Sequence, residues 1–157
     1  MGERVVRWAA LVVLAVGGCG APRDPEGSTD RIVSSRVLRV GATQSPPWVQ
    51  INAGEPTGPE ADLIRRFAGS LGARVGWIPG GQQQLLQALE DRRLDLVAAG
   101  ADASTPWKAR LGVSLPYATS LGPHGLEKRV LLTAPGENQL LMRLDRFVLA
   151  TKKDPAR

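Results

Sequence analysis

"GPEADLIRRFAGSLGARVGWIPGGQQQLLQALEDRRLDLVAAG", residues 58–100, alternates two helical patterns with two short apolar runs, and its reading decides the fold. Pro59 suits the first turn of a helix over 59–71, with Glu60 and Asp62 at the end where the macrodipole favours negative charge. Ile64, Phe67, Ala68 and Leu71 share one face, and Gly72 stops the helix. "ARVGWI" (73–78) reads as a strand, and Pro79, Gly80 and Gly81 turn the chain. A second helix over 82–92 turns Leu85, Leu86, Ala88 and Leu89 to the core, and "LDLVAAG" (94–100) is the next strand. Upstream, "RVLRVGA" (36–42) is a strand ending near Gly41, and the prolines of "SPPW" (45–48) force a loop. Strand, helix, strand, helix, strand at this spacing predicts right-handed crossovers and a mostly parallel sheet flanked by helices, an α/β fold.

Downstream, "LGVSLPYATS" (111–120) reads as a strand or edge segment and "KRVLLTA" (128–134) as a further strand. A last helix over 137–150 aligns Leu140, Leu141, Leu144, Phe147 and Val148. The expected layout is a leader over 1–18, a flexible tether over 19–35, one α/β domain over 36–151 and a polar tail over 152–157. The tether expectation rests on "GAPRDPEGSTDRIVSS" (20–35), rich in Pro, Gly, Ser and charge and without sustained period.

The chain has 157 residues, 43% apolar and 22% charged, ordinary for one globular domain. The net charge of +5 is spread among acids, with no basic stripe interleaved with aromatics, so no nucleic-acid partner is expected. At the N-terminus, Arg4 and Arg7 precede an apolar stretch from Trp8 to Val16, then Gly17, Gly18 and Cys19. About nine apolar residues fall short of the ~20 that span a bilayer, which fits an export signal. Removing residues 1–18 lowers the formal charge to +4. Val16-Gly17-Gly18-Cys19 resembles the lipobox of bacterial lipoproteins. That resemblance implies that Cys19, the only cysteine, becomes an acylated first residue anchoring the chain outside the cytoplasm; an ordinary secretory cut near Cys19 is the alternative.

Taken together, "LRVGATQSPPW", residues 58–78, "LLQALEDRRLDLVAAGAD" and "LGVSLPYATS" resemble the family 3 extracytoplasmic solute-binding proteins of bacterial uptake transporters, over 37–120. The resemblance implies two α/β lobes closing on a ligand, with the chain leaving the first lobe and returning to it. Residues 128–150 look like the returning strand and helix. Only ten residues separate Tyr117 from Lys128, where a second lobe would stand, so the chain is expected to be the first lobe alone, closed by a short loop. That loop carries the one histidine, His124, read as a solvated residue with no companions at metal-ligand spacing.

In an open parallel sheet, ligands bind beyond the carboxyl ends of the strands, here the loops after Gly41 and Gly100. Trp48 matches the family's ligand-packing aromatic, or else covers the core edge. Asp62 matches the helix-start aspartate, or serves the dipole. The family's Gly-x-Thr-x-Thr-x-x-Arg loop places Asp102 and Ser104 at the threonines and Trp107 at the arginine that would clamp a carboxylate. Lys108 and Arg110 are neighbours in sequence, but a lysine has no planar fork. The candidate ligand residues are therefore Trp48, Asp62, Gly100, Asp102, Ser104, Trp107 and Lys108, and an acid among tryptophans suits a cationic or flat organic solute. The alternative is that 102–105 cap the next helix and Trp107 fills the core edge.

No cofactor is implied, and "PGGQQQ" (79–84) lacks the Lys-Ser pair of a phosphate loop. Three functions remain open: a membrane-tethered solute-binding lobe for uptake or sensing, an adaptor lipoprotein that keeps the fold without a ligand, and an enzyme of the same fold, which the absent nucleophile–base pairing disfavours. A lone lobe offers one wall of a cleft, so a permease, a sensor domain or a second copy would supply the other.

Overall fold

The computed structural model describes residues 23–123 and 125–153; the expected leader, Cys19 and its lipobox, His124 and residues 154–157 lie outside them. The elements in chain order are α1 (Ser28–Ser35), β1 (Val37–Ala42), β2 (Gln50–Asn52), β3 (Glu55–Thr57), α2 (Pro59–Ser70), β4 (Arg74–Pro79), α3 (Gln82–Glu90), β5 (Leu96–Ala98), a 3-10 turn (Pro106–Ala109), β6 (Gly112–Val113), β7 (Ala118–Gly122), β8 (Gly125–Arg129), β9 (Leu132–Thr133) and α4 (Asn138–Lys153). The main sheet has the order β4-β1-β5-β9-β6. β1 runs parallel to both β4 and β5, joined through the α2 and α3 crossovers, whereas β9 runs antiparallel to β5 and β6. The fold is α/β with a mixed sheet, parallel in its first half and antiparallel where the chain returns.

Alternation along the strands divides the core between the two sheet faces. Leu38, Val40, Leu96, Ala98 and Leu131 pack with Ile32 of α1, Ile64 and Phe67 of α2, and Leu140, Leu144 and Val148 of α4. Val97, Ala99, Leu132 and Leu94 pack with Leu85, Leu86 and Leu89 of α3. Phe67 and Phe147 meet with ring centroids 5.6 Å apart, tying α2 to α4.

The tether expectation is corrected from Asp24 onward. Asp24 Oδ1 accepts the Gln139 and Leu140 amides at 2.7 and 3.1 Å, capping α4, while Oδ2 accepts the Thr29 amide at 2.9 Å and its hydroxyl. In return, buried Glu137 accepts the Glu26 and Ser28 amides, both at 3.2 Å, at the start of α1. Two helix N-termini are thus capped by carboxylates from opposite ends of the chain, which satisfies their orphan donors. Asp95, fully buried before β5, pairs with Arg31 of α1 at 2.5 Å and Arg39 of β1 at 2.8 Å. Residues 24–35 belong to the domain.

Two further expectations change. "KRVLLTA" is two elements: its polar end lies in β8, paired with β7, and only Leu132 and Thr133 enter the main sheet. The run divides where charge gives way to aliphatic residues, because only Val130 onward fits the core. The expected short loop is therefore a β-hairpin, β7–β8, standing off the sheet. α4 continues to Lys153, past the expected helix end at 150, with Lys152 and Lys153 in the last turn where cations favour the dipole.

Replacing the shared cap, Asp24→Ala, is expected to lower stability by about 2 kcal/mol, the upper end for a cap, because two helix starts lose an acceptor. A urea midpoint that falls with unchanged slope checks this; an unchanged midpoint contradicts the shared cap.

Candidate functional site

Where β5 ends, the amides of Ala99 and Gly100 leave the ladder inside the protein and need acceptors. Glu60, in the first turn of α2, supplies them: Oε1 accepts from Ala99 at 3.1 Å and Oε2 from Gly100 at 2.9 Å. The Tyr117 hydroxyl donates to the same Oε2 at 2.8 Å. The Glu60 amide donates to the Trp48 carbonyl at 3.2 Å, so α2, the 45–49 loop and the end of β5 meet at one residue. Gly100 has φ +59°, and a Cβ there would stand 2.9 Å from Ser45 Oγ and 3.2 Å from Trp48 Cδ1; only glycine fits. Ser45 Oγ in turn donates to the Ala99 carbonyl at 2.8 Å.

Over this floor lies the inward face of the β7–β8 hairpin. Arg129 sits with its guanidinium carbon 5.3 Å from the Trp48 ring centroid. Its Nη1 donates to the Gly100 carbonyl at 2.7 Å, Nε donates to Ser120 Oγ at 3.1 Å, and Nη2 pairs with Glu127. Tyr117 meets Trp48 edge-on at 6.0 Å. A Cβ at Gly122 would collide with the Glu127 carboxylate, so that glycine makes room for the acid that faces Arg129.

Burial pushes the Glu60 carboxyl up to about 7, against the lowering effects of Tyr117, the two amides and Arg129. Tyr117 is pushed above the usual phenol range by burial, then by the neighbouring Glu60. Asp102 is held below the ordinary carboxylate value chiefly by Ser104, whose hydroxyl and amide it accepts at 2.5 and 2.8 Å.

The expected ligand residues separate into three places. Trp48 and Gly100 lie in the cluster just described. Asp102 and Ser104 lie beside it and line a shallow groove of about 310 Å³ with Ala103, Leu126 and Lys128. Trp107 and Lys108 stand on the 3-10 turn. There Trp107 packs against the α3-side core with Arg110 over its ring at 5.9 Å, and Lys108 is exposed. Asp62 is exposed and pairs with Arg65 at 3.1 Å, away from the strand ends; the helix turns Glu60 inward two residues earlier. Sequence reading missed Glu60, Tyr117, Ser120, Glu127 and Arg129 as site residues. For Tyr117 the available signal was Ser114-Leu115-Pro116-Tyr117 within "LGVSLPYATS". Among the described residues no group of three or more His, Cys, Asp or Glu is placed to hold a metal ion.

Because Glu60 keeps its proton up to about pH 7 when folded but only to about 4.5 when unfolded, its contribution is full below pH 4.5 and is lost as pH rises to about 7. The loss is on the order of 3 kcal/mol. Glu60→Gln removes this segment of the pH–stability curve; urea midpoints of both proteins between pH 4.5 and 7.5 check it, and parallel curves contradict it.

A family model of bacterial extracellular solute-binding proteins, family 3, matches residues 38–156. The chain is 33% identical over 98 residues to membrane-bound lytic murein transglycosylase F of Vibrio cholerae, covering 62% of this chain and 18% of that protein. It is 30% identical over 110 residues to cyclohexadienyl dehydratase of Pseudomonas aeruginosa, covering 69% of this chain and 41% of that protein. It therefore spans less than half the length of these curated relatives. Among solved structures, the arginine-bound form of domain 1 from TmArgBP, the ArgBP of T. maritima, superposes with TM-score 0.70 at 22% identity, covering 77% of this chain and 98% of that one. A putative ABC-transporter binding component from Wolinella succinogenes complexed with lysine gives TM-score 0.67 at 14% identity, covering 76% and 91%. Both likenesses are of fold. The chain belongs to the family 3 bacterial extracellular solute-binding proteins.

Proposed function

We propose that this chain is a membrane-tethered, extracytoplasmic solute-binding lobe that presents a cationic or flat organic solute to a permease or sensor. The observation that carries this reading is the chemistry at the ends of β1 and β5: an aromatic face, Trp48, already covered by a guanidinium whose countercharge is Glu127, with Asp102 in the adjoining groove. Trp107 in place of the arginine clamp argues against a ligand held by its carboxylate. The similarity to a lone domain 1 in an arginine-bound form supports binding by one lobe without its counterpart.

The relatives named as enzymes share only part of their length with this chain. Glu60, whose carboxyl is raised to about 7, is fully buried with both oxygens occupied by protein donors, which fits a structural role and no contact with substrate. Anchoring rests on Cys19 in its lipobox context. Among the described residues no helix is long and apolar enough to cross a membrane. The second reading, an adaptor that keeps the fold without a solute, is favoured by one observation: Arg129 already covers Trp48.

The full chain in detergent is expected to show a saturable rise in melting temperature with at least one member of a panel of amines, guanidines and flat heteroaromatics, weakened about tenfold by Asp102→Asn. No response across the panel favours the adaptor. In cells, metabolic labelling with an alkyne palmitate is expected on the full chain and lost in Cys19→Ser; equal labelling of both contradicts the anchor.

A further inference from the structure

We propose that Arg129 is a ligand built into the chain: its guanidinium occupies the seat at the end of β5 that a free guanidinium-bearing solute would take, so such a solute binds only by displacing it. The inference rests on the reading of the Trp48 mouth as the solute site.

The seat is complete around Arg129. The Trp48 ring supplies a face, the Gly100 carbonyl and Ser120 Oγ accept from two edges of the fork, and Glu127 supplies the countercharge. The Arg129 side chain is 14% exposed, so these contacts replace most of its water. A guanidinium presents its donors in a plane with π-faces above and below, and these partners match both features.

The backbone holds the residue in place. Tyr117 donates its amide to the Arg129 carbonyl, Ala103 to that of Lys128, and the Val130 amide donates to the Ala101 carbonyl, all at 2.9 Å. The last two bonds fasten the end of β8 to the loop after β5. Alternation along the hairpin sends Ser120, Glu127 and Arg129 inward and Lys128 outward, so no other cation of β8 takes the seat. A group delivered by its own chain competes at high effective concentration, and a free solute sees only the fraction of molecules in which the seat is open.

The test uses the full chain in detergent, with methylguanidinium as probe and sodium chloride of equal ionic strength as control. Arg129→Ala is expected to melt lower than wild type, to regain stability with millimolar methylguanidinium, and to show a saturable change in tryptophan fluorescence. Its affinity is expected to be at least about tenfold tighter than that of wild type, with the response lost in Arg129→Ala/Trp48→Ala. Should Arg129→Ala fail to fold, Arg129→Lys keeps a cation but no fork and is expected to take the probe better than wild type. An unoccupied seat that ignores methylguanidinium overturns the proposal. A cationic solute bound by wild type with affinity unchanged in Arg129→Ala also overturns it, while leaving the solute-binding reading intact. Rescue of Arg129→Ala with no solute bound by wild type supports the built-in ligand and counts against solute binding as the working function.

Discussion

The pairing of one buried carboxylate with two strand-end amides governs this molecule. β5 lies inside the sheet, and its chain must leave between β1 and β9 with the Ala99 and Gly100 amides facing protein. Leaving either unpaired in a dry interior costs more than a typical hydrogen bond gains. Glu60 meets both at once, and because it sits in the first turn of α2 it fixes where that helix docks. The protein desolvates an acid to achieve this, and the raised proton affinity of Glu60 reflects that burial. Tyr117 fills the remaining approach to the carboxylate and sets the chain's direction into the hairpin.

The β7–β8 hairpin forms a two-stranded sheet of its own, off the main sheet. Its inward face is polar and paired, whereas the outward face carries Leu121 and Leu126 as directly opposed neighbours, 82% and 79% exposed. A two-stranded ribbon is marginal in water by itself. Here it is held down by the Arg129 contacts and by backbone bonds to residues 101 and 103. The same residue that secures the ribbon thus covers the Trp48 ring at the end of β5.

The sequence makes the two crossovers legible because each apolar stripe is local: Ile64, Phe67 and Ala68 in α2, Leu85, Leu86 and Leu89 in α3, and aliphatic runs between turn glycines. The helix from Ser28 was illegible for the opposite reason. It offers Ile32 alone to the core, Glu137 holds its Glu26 and Ser28 amides from 111 and 109 residues away, and Asp24, which accepts from Thr29, is itself fixed by the distant start of α4, a link that no local pattern encodes. The candidate cluster was legible in part. Trp48 and Gly100 follow from the strand-end rule, and Asp102 and Ser104 fall beside them. Choosing Asp62 over Glu60 followed a family position, whereas burial is decided by which side of α2 meets β5. Arg129 sat in a run whose aliphatic half dominates its periodicity, so its departure from the main sheet was hidden.

Amide hydrogen exchange at Ala99 and Gly100 tests the central claim most directly, followed in wild type and in Glu60→Ala under conditions where both remain folded. The account predicts that both amides are strongly protected in wild type and lose protection by orders of magnitude in the variant, while the interior of α4 stays protected. Protection at these two positions that persists without the Glu60 carboxylate would contradict it.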